Sequence, residues 1–380
     1  MKINVLFVMG QMGMGGTERL IHNLVKNMDR GTYNASIAWF YLEKVLTEFK
    51  ELGVPLYHVP KEKRIDFDAM KKLAELIGDR DIHVVNAHHF LSFVYSFYGA
   101  KIKNKAKLIY TEHSEAEVRS IPWKWRALGK YMLGRTDCLV GINEKITEAL
   151  LKTFEPTNTT VKTIKNGVDL DAFRDIREKD SLKKELGLTS NEILIGIVAN
   201  FRKNKNHLFL LKAFRELLGF HGNIKLFLVG QGFGHDPENS EGEIRHYIAS
   251  NQMEERVVLV GYRPDVSALL GAMDIFCLTS YKEGLPIAMI EAMASSLPIV
   301  GTDAEGIRDV IRHRENGFLV EIDNVKALTT AIGSLIEDEN LRRKMGQRSR
   351  ELATENYSLR ECLGQYQTLF KSLAVRETNS

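Results

Sequence analysis

The segment DIFCLTSYKEGLPIAMIEAMASSLPIVGT, residues 274–302, decides the fold that we expect. It begins with an apolar run of strand type, passes through a polar loop into an apolar helical stretch, and ends in a second apolar run. Two strands joined by a helix in this way are typical of neighbouring parallel strands. The segment also contains two carboxylates, Glu283 and Glu291, and an ionised carboxylate in apolar surroundings is costly unless something pairs with it.

The same alternation of apolar runs and amphipathic stretches continues along the chain, whose 380 residues are too many for one typical core. Apolar strands separated by helices predict parallel sheets covered on both faces. The candidate strands form two series, residues 3–9, 34–41, 83–87, 107–111 and 138–142, and then 192–199, 225–230, 257–261, 274–280, 298–302 and 317–320. Residues 166–192 between them are polar and strand-poor, so we place the linker there. The sequence thus predicts two doubly wound α/β domains with a cleft between them.

Composition excludes several classes of protein. Apolar residues make up 44% and charged residues 27%, which is ordinary for a soluble globular protein. The net charge of +3, divided as +6 in residues 1–169 and −3 in the rest, is too mild for a nucleic-acid-binding protein. The three cysteines are far apart, which argues against a disulfide framework or a structural zinc site. The first apolar run is short for a signal peptide and no segment reaches membrane-spanning length, so we expect a cytoplasmic protein.

Glycines follow the first candidate strand in GQMGMGGTERLIHNL, residues 10–24. Gly10, Gly13, Gly15 and Gly16 precede a helix that we expect to begin near Thr17 and to be capped by it. Glu18 occupies the third glycine position of the dinucleotide fingerprint, and Gly16 is not followed by the Lys-Ser/Thr pair of a P-loop. The remaining interpretations are a tight strand–helix turn and a backbone that a phosphate or sugar approaches closely.

Histidines follow two other candidate strands. In KLIYTEHSE, residues 107–115, Glu112 and His113 come just after the apolar run. In NAHHF, residues 86–90, His88 and His89 have the same position. A lone histidine is usually structural, but ligands of parallel sheets bind beyond the carboxyl ends of the strands. We therefore treat His113 as a candidate site residue, and His88 or His89 as a weaker candidate that faces either an acceptor or the surface.

The second domain offers a basic site and an acidic one. Arg202, Lys203 and Lys205 lie between a strand and an amphipathic helix in VANFRKNKNHLFLLKAF, where they would clamp a diphosphate or form a solvated turn. Glu283 lies in the loop before a helix that has Pro286 in its first turn, and the N–H groups of Gly284 and Leu285 at that helix start suit an anion.

Glu291 lies further along this helix. Its carboxylate would accept hydrogen bonds from two ribose hydroxyls, or would pair with Arg263 or Arg308. Two DxD strings, at residues 66–68 and 169–171, do not follow strands, so we interpret them as solvated and predict no metal site.

Together these motifs closely resemble the retaining glycosyltransferases of the GT4 family. EGLPIAMIEAMASSLPIVGT resembles the family's signature with two glutamates eight residues apart, and GGTER, TEHS, NGVD and NFRKNKNH resemble its other motifs in the same order. The resemblance covers essentially the whole chain and implies the GT-B fold, two facing Rossmann-like domains of which the second holds the sugar nucleotide. It also implies that the C-terminal helix returns to the first domain, so the domains should be residues 1–170 plus 357–380, and 171–356.

The resemblance also implies a role for each matching residue. The catalytic set is His113 beside the reacting sugar, Arg202 and Lys205 at the diphosphate, and Glu283 at the hydroxyls of the transferred sugar. The substrate-binding set is Gly15, Gly16, Gly284, Leu285, Pro286 and, at the ribose, Glu291. The sequence departs from the family at Asn200, where arginine is usual, and at Ser296 and Glu305, where glycine is frequent. We expect Arg202 to replace the missing arginine.

The implied reaction transfers a sugar from a UDP- or GDP-sugar to a hydroxyl acceptor with retention, without cofactor or metal. Residues 101–135 contain nine Lys/Arg and three acids, with Trp123 and Trp125 among them. This pattern suits an anionic membrane surface and a lipid-linked or cell-surface glycan acceptor, or else an ordinary solvated rim. Two other functions compete. Glu18 argues against a nicotinamide dehydrogenase, and a non-catalytic two-domain protein that binds sugar nucleotides would share the architecture.

Overall fold

The computed structural model describes residues 2–12, 15–41, 46–63, 65–173, 179–234 and 236–375. The chain forms two compact units, of which unit 1 comprises Met1–Gly167 with Leu359–Ser380 and unit 2 comprises Val168–Ser358. Part of the segment expected as a linker, residues 174–178, lies outside the described residues. None of the helices in the described ranges has both the length and the apolar character that crossing a bilayer requires.

Unit 1 is built on a parallel sheet of seven strands in the order β3-β2-β1-β4-β5-β6-β7. Its strands are β1 (Ile3–Gln11), β2 (Tyr33–Tyr41), β3 (Leu56–His58), β4 (Val84–His88), β5 (Lys107–Glu112), β6 (Cys138–Gly141) and β7 (Thr160–Thr163). Its helices are α1 (Gly16–Asn27), α2 (Thr47–Glu51), α3 (Phe67–Asp79), α4 (His89–Phe97), α5 (Glu115–Ser120), α6 (Trp123–Leu133), α7 (Glu144–Phe154) and α15 (Leu359–Val375), with a π-helical stretch at Tyr98–Lys103.

Unit 2 is built on a parallel sheet of six strands in the order β10-β9-β8-β11-β12-β13. Its strands are β8 (Ile193–Val198), β9 (Ile224–Val229), β10 (Val257–Gly261), β11 (Ile275–Leu278), β12 (Ile299–Thr302) and β13 (Gly317–Val320). Its helices are α8 (Lys179–Glu185), α9 (His207–Leu218), α10 (Glu241–Ser250), α11 (Val266–Ala272), α12 (Ile287–Ala294), α13 (Val325–Glu337) and α14 (Glu339–Asn356), with a 3₁₀ turn at Lys203–Lys205.

The expectation of two parallel-sheet α/β domains is confirmed, and its physical basis is the burial of the central strands. Val5, Phe7 and their neighbours in β1 are fully buried, because helices cover both faces of the sheet. The helix α15 covers one of these faces, and its Phe370 packs edge-on against Phe7 with ring centroids 6.0 Å apart. This contact explains why the end of the chain belongs to unit 1.

All eleven predicted strands are present, and the structure adds β3 and β7. These two are edge strands of three and four residues without fully buried side chains, so their sequences lack the apolar run that identified the others. The interpretation of the first DxD string as solvated is wrong for Asp66. This residue is 8% exposed and caps α3, and hydrogen bonds from the backbone N–H groups of Glu62 and Ala69 lower its pKa to about 2.

Candidate functional site

Each sheet has one place where the strand order reverses direction, and the candidate residues follow the strands at those two places. In unit 2 the reversal lies between β8 and β11, which pair side by side at Ile195 and Ile275. Lys205 follows β8 and Glu283 follows β11. Connections leave the two strands toward opposite faces of the sheet, and the crevice that this opens is the usual ligand site of such folds.

Lys205 and Glu283 are in contact within this crevice of unit 2. The Nζ atom of Lys205 lies 2.6 Å from Oε1 of Glu283, and the hydroxyl of Ser280 donates to the same oxygen at 2.5 Å. The two charged side chains are 23% and 12% exposed. The hydroxyl of Thr279 reaches the backbone carbonyls of Lys205 and Asn206, so the end of β11 holds the basic turn in place.

The loop that carries Glu283 is held by a second loop, which follows β12. The backbone N–H of Glu283 donates to the carbonyl of Glu305 at 2.9 Å. The next residue, Gly306, has a φ of +79°, and a Cβ atom at Gly306 would lie 2.4 Å from the Glu283 carbonyl oxygen. Only glycine fits there. Sequence reasoning missed Gly306, although a glycine just after a strand end was a usable signal.

The helix α12 starts one residue later than expected. Pro286 is its N-cap rather than part of its first turn, and Gly284 and Leu285 precede it. Glu291 lies inside α12 and is 4% exposed. The two arginines considered as its partners bind other carboxylates, since Arg263 pairs with Asp265 and Arg308 with Asp303.

Arg202 has a partner that the sequence did not indicate. Its Nε atom lies 2.7 Å from Oδ2 of Asp236, and its side chain is 48% exposed. Its backbone carbonyl accepts a hydrogen bond from the N–H of Lys205, so the backbones of the two residues are joined while the guanidinium binds Asp236.

Ser296, where the family often has glycine, has a φ of +59°, the left-handed conformation that glycine adopts most easily.

In unit 1 the strand order reverses between β1 and β4, and the glycine loop and the histidines follow these strands. Gly15 is the N-cap of α1 and Gly16 its first residue. The expectation that Thr17 caps the helix is wrong, because Thr17 is inside the first turn and its hydroxyl bonds Nε2 of His89 at 2.9 Å. Gly10 lies within β1, and Gly13 lies outside the described residues.

Glu18, the residue that excluded the dinucleotide fingerprint, folds back against the glycine loop. It is 8% exposed, and a Cβ atom at Gly15 would lie 2.7 Å from its carboxylate oxygen Oε2. Burial raises the pKa of Glu18, while hydrogen bonds and the charge of His89 oppose this shift. The absence of a side chain at Gly15 therefore allows the carboxylate to pack under the loop.

His113 lies where the sequence predicted, just past β5, and its ring forms a pair with His88. Nε2 of His113 and Nδ1 of His88 are 2.8 Å apart, so one of these nitrogens donates and the other accepts. Burial, together with the charge of His89, lowers the pKa of His88 to about 3 and holds the pKa of His113 well below its usual value. Both rings are therefore neutral near pH 7.

Glu112, the last residue of β5, anchors this part of unit 1. It is fully buried and accepts hydrogen bonds from the hydroxyl of Tyr110 at 2.5 Å and from the backbone N–H groups of His113 and Ser114 at 2.7 and 3.1 Å. Its carboxylate also lies beside His89, whose Nδ1 is 3.3 Å from Glu112 and 3.0 Å from Glu117. The proton on Nδ1 accounts for the closeness of these three side chains.

The sequence matches two family models in succession. Glycosyltransferase Family 4 matches residues 14–172, and Glycosyl transferases group 1 matches residues 178–352. N-acetyl-alpha-D-glucosaminyl L-malate synthase of Bacillus anthracis is 28% identical over 345 residues, which are 90% of this chain and 88% of that protein. The UDP-Gal:alpha-D-GlcNAc-diphosphoundecaprenol alpha-1,3-galactosyltransferase of Escherichia coli is 23% identical over 308 residues, 78% of each chain.

A solved structure shows the same fold. Anabaena HepE, crystallised in complex with UDP and glucose, superposes with a TM-score of 0.84 at 19% sequence identity, over 97% of this chain and 100% of that one. At this level of identity the likeness concerns the fold.

Proposed function

The chain belongs to the GT4-type glycosyltransferases with the GT-B fold, and we propose that it is a retaining enzyme. It moves a sugar from a nucleoside-diphosphate sugar to a hydroxyl acceptor. The observation that carries this proposal is the contact between Lys205 and Glu283 at the reversal point of the sheet in unit 2. A cation and a carboxylate together there match the two parts of a sugar diphosphate, its phosphates and its hydroxyl groups.

In this proposal the bound sugar nucleotide replaces contacts that the side chains of the site make with one another. The ammonium of Lys205 has three N–H donors, and its contact with Glu283 uses one of them. Lys205 then binds the diphosphate while Glu283 accepts hydrogen bonds from the transferred sugar. The N–H groups of Gly284 and Leu285 and the start of α12 after Pro286 line the sugar and phosphates.

Glu291 binds the ribose hydroxyls in the same proposal. Arg202 would have to leave Asp236 before it could reach the diphosphate, so its contribution depends on that exchange. By the family resemblance, unit 1 supplies Gly15 and Gly16 toward the donor and His113 beside the reacting sugar.

The reaction then follows from the charges. The bond between the anomeric carbon and the diphosphate oxygen breaks, and Lys205, Arg202 and the start of α12 stabilise the negative charge of the leaving group. The acceptor oxygen bonds to the anomeric carbon from the same face, and its proton passes to the departing diphosphate. Because these groups neutralise the diphosphate, the proposed reaction needs no metal ion.

The acceptor that we propose is lipid-linked or part of a surface glycan, and the enzyme acts at an anionic membrane surface. The side chains of Trp123 and Tyr131 on α6 are 74% and 54% exposed. Lys124 lies 5.6 Å from the Trp123 ring centroid, and Arg135 lies 4.0 Å from that of Tyr131. Exposed aromatic rings beside cations suit the interface of an anionic bilayer.

An apolar groove of about 200 Å³ lies beside this surface of unit 1. The described residues that line it are Ile65, Met70, Phe90, Leu91, Val94, Tyr95, Ile121, Pro122 and Trp125. The name of the E. coli relative gives it a lipid-diphosphate acceptor. The groove, the exposed rings and that name together favour an acceptor with a lipid part over a fully soluble one.

The experiment that tests the donor is a thermal-shift panel of nucleoside diphosphates and their sugars, followed by an assay of sugar release. A UDP- or GDP-sugar should raise the melting temperature and be slowly hydrolysed without acceptor. Stabilisation without hydrolysis or transfer would favour the competing function, a non-catalytic protein that binds sugar nucleotides. No stabilisation by any member of the panel would contradict both.

A further inference from the structure

His89 has a backbone conformation that needs an explanation. It is the first residue of α4 and has a φ of +67°, a region that bulky side chains rarely adopt. Such a conformation persists only where the surroundings enforce it, and it is often found at functional sites. The surroundings here are three hydrogen-bonding partners from three different segments.

The ring of His89 connects these segments through both nitrogens. Nε2 bonds the hydroxyl of Thr17 on α1 at 2.9 Å. Nδ1 lies 3.0 Å from the carboxylate of Glu117 on α5 and 3.3 Å from that of Glu112 at the end of β5. A doubly protonated ring satisfies every one of these contacts, because both nitrogens then donate.

The charged groups around the ring favour this protonated form. Three carboxylates face it, those of Glu112, Glu117 and Glu18, and the neutral ring of His113 lies 4.9 Å away between centroids. Burial opposes the charge, but the hydrogen bonds to Glu112 and Glu117 outweigh it and raise the pKa of His89 to about 10. His89 is thus a cation beside the carboxylates of Glu18, Glu112 and Glu117 and the neutral rings of His88 and His113.

We propose that His89 is a positioning residue that fixes the glycine loop at the start of α1 relative to the strand end that carries His113. This inference rests on the proposed function, because that function places Gly15, Gly16 and His113 in contact with the sugar nucleotide. His89 acts through Thr17 and Glu112. Thr17 directly follows the two glycines, and Glu112 binds the backbone N–H of His113.

The protonation of His89 makes this proposal testable. Its pKa in the folded protein is raised from 6.5 to about 10, so its charged contacts are complete at neutral pH and are lost only as the pH rises through 10. Removing one carboxylate partner lowers this pKa and moves the loss toward neutral pH. A residue that only filled space would not produce a new pH dependence.

The matched variants are Glu117→Gln and Glu115→Gln, which remove one carboxylate each from α5. Glu115 pairs with Arg119 rather than with His89. We expect kcat/KM for the donor in Glu117→Gln to equal the wild-type value at pH 6 and to fall at least threefold below it by pH 9. Glu115→Gln should follow the wild-type profile throughout. Parallel profiles for Glu117→Gln and the wild type, or an equal fall in Glu115→Gln, would overturn the proposal.

Two measurements do not depend on activity. Titration of the histidine rings by NMR should show the pKa of His89 lowered by at least one unit in Glu117→Gln relative to the wild type. His89→Asn keeps a residue that tolerates the positive φ, and amide hydrogen exchange of residues 15–20 should be at least tenfold faster in it. An unshifted pKa or unchanged exchange would overturn the positioning role even if the donor assignment holds. An inactive wild type with both effects present would instead overturn the proposed function alone.

Discussion

The ammonium of Lys205 and the carboxylate of Glu283 are 2.6 Å apart although they are separated by 78 positions in the sequence. The sheet of unit 2 brings them together, because the strands that precede them, β8 and β11, are neighbours at the point where the strand order reverses. Ser280 binds the same carboxylate oxygen and fixes its direction. The fold thus holds this pair in place, and the pair is not a contact between two freely moving surface side chains.

Lys205→Ala should lower the rate of sugar transfer at least tenfold and leave the fold intact. A hydrogen bond to a charged group contributes about 1.5–3 kcal/mol, which corresponds to about a ten- to hundredfold change. The control is Lys203→Ala, since Lys203 lies in the same turn but faces Glu243 at 3.9 Å with its side chain 53% exposed. Steady-state assays of both variants decide the matter, and equal rates for the two would remove Lys205 from the site.

Glu291→Ala should weaken binding of the sugar nucleotide only by removing the contact with its ribose. We expect wild-type protein to bind a 2′-deoxynucleoside diphosphate at least tenfold less tightly than the ribose form. In Glu291→Ala the two ligands should bind with similar affinity, because the carboxylate that distinguishes them is gone. Calorimetric titration measures all four affinities. A preference for ribose that survives the substitution would place the ribose elsewhere.

Gly306→Ala should abolish most activity although residue 306 bears no functional group. The added Cβ would lie 2.4 Å from the carbonyl oxygen of Glu283, and the alanine would have to adopt a φ of +79°. The Glu283 loop must therefore shift. Gly364→Ala is the control, because a Cβ there meets nothing within 4 Å. Transfer assays and far-UV circular dichroism together separate a displaced loop from global unfolding, and full activity in Gly306→Ala would contradict the described geometry.

Sugar transfer should survive chelation by EDTA. The proposed site neutralises the diphosphate with Lys205, Arg202 and the start of α12, so removal of divalent cations should change the rate by less than about twofold. Complete loss of transfer in EDTA, with recovery on addition of manganese, would show that a metal ion does this work instead.

Trp123→Ala combined with Lys124→Glu should reduce binding to vesicles that contain anionic lipid. Each basic residue near such a surface contributes about 1 kcal/mol. Arg126 is left in place, because it donates to the backbone carbonyls of Ile121 and Arg119 and so holds the local structure. Phe220→Ala in unit 2 is the control, as Phe220 is 82% exposed. Co-sedimentation at low and high salt tests this, and equal binding by all three proteins would leave a soluble acceptor.

Local patterns in the sequence predicted the central strands and the residues at their ends, because both depend on burial and on position in a β–α–β unit. Thr17 was misjudged because a side chain's partner can depend on tertiary contacts. Thr17 binds a histidine that follows β4. The sequence placed Asp66 before a helix but missed that its carboxylate caps this helix, α3, by accepting from the backbone N–H groups of Asp68 and Ala69. His89, like Thr17, was undervalued because its partners are tertiary. Thr17, Glu112 and Glu117 are distant from it in the sequence and approach it only in the folded unit.

Transfer with retention of the anomeric configuration is tested most directly by proton NMR of the sugar first released from an α-linked UDP- or GDP-sugar. Spectra are recorded immediately after mixing with enzyme, before the free sugar equilibrates between its anomers, and Lys205→Ala serves as the control. The donor that the wild type consumes should yield the α-anomer first, and the Lys205→Ala variant should release it at least tenfold more slowly. Release of the β-anomer first, or no consumption of any donor in the panel, would contradict the proposed function.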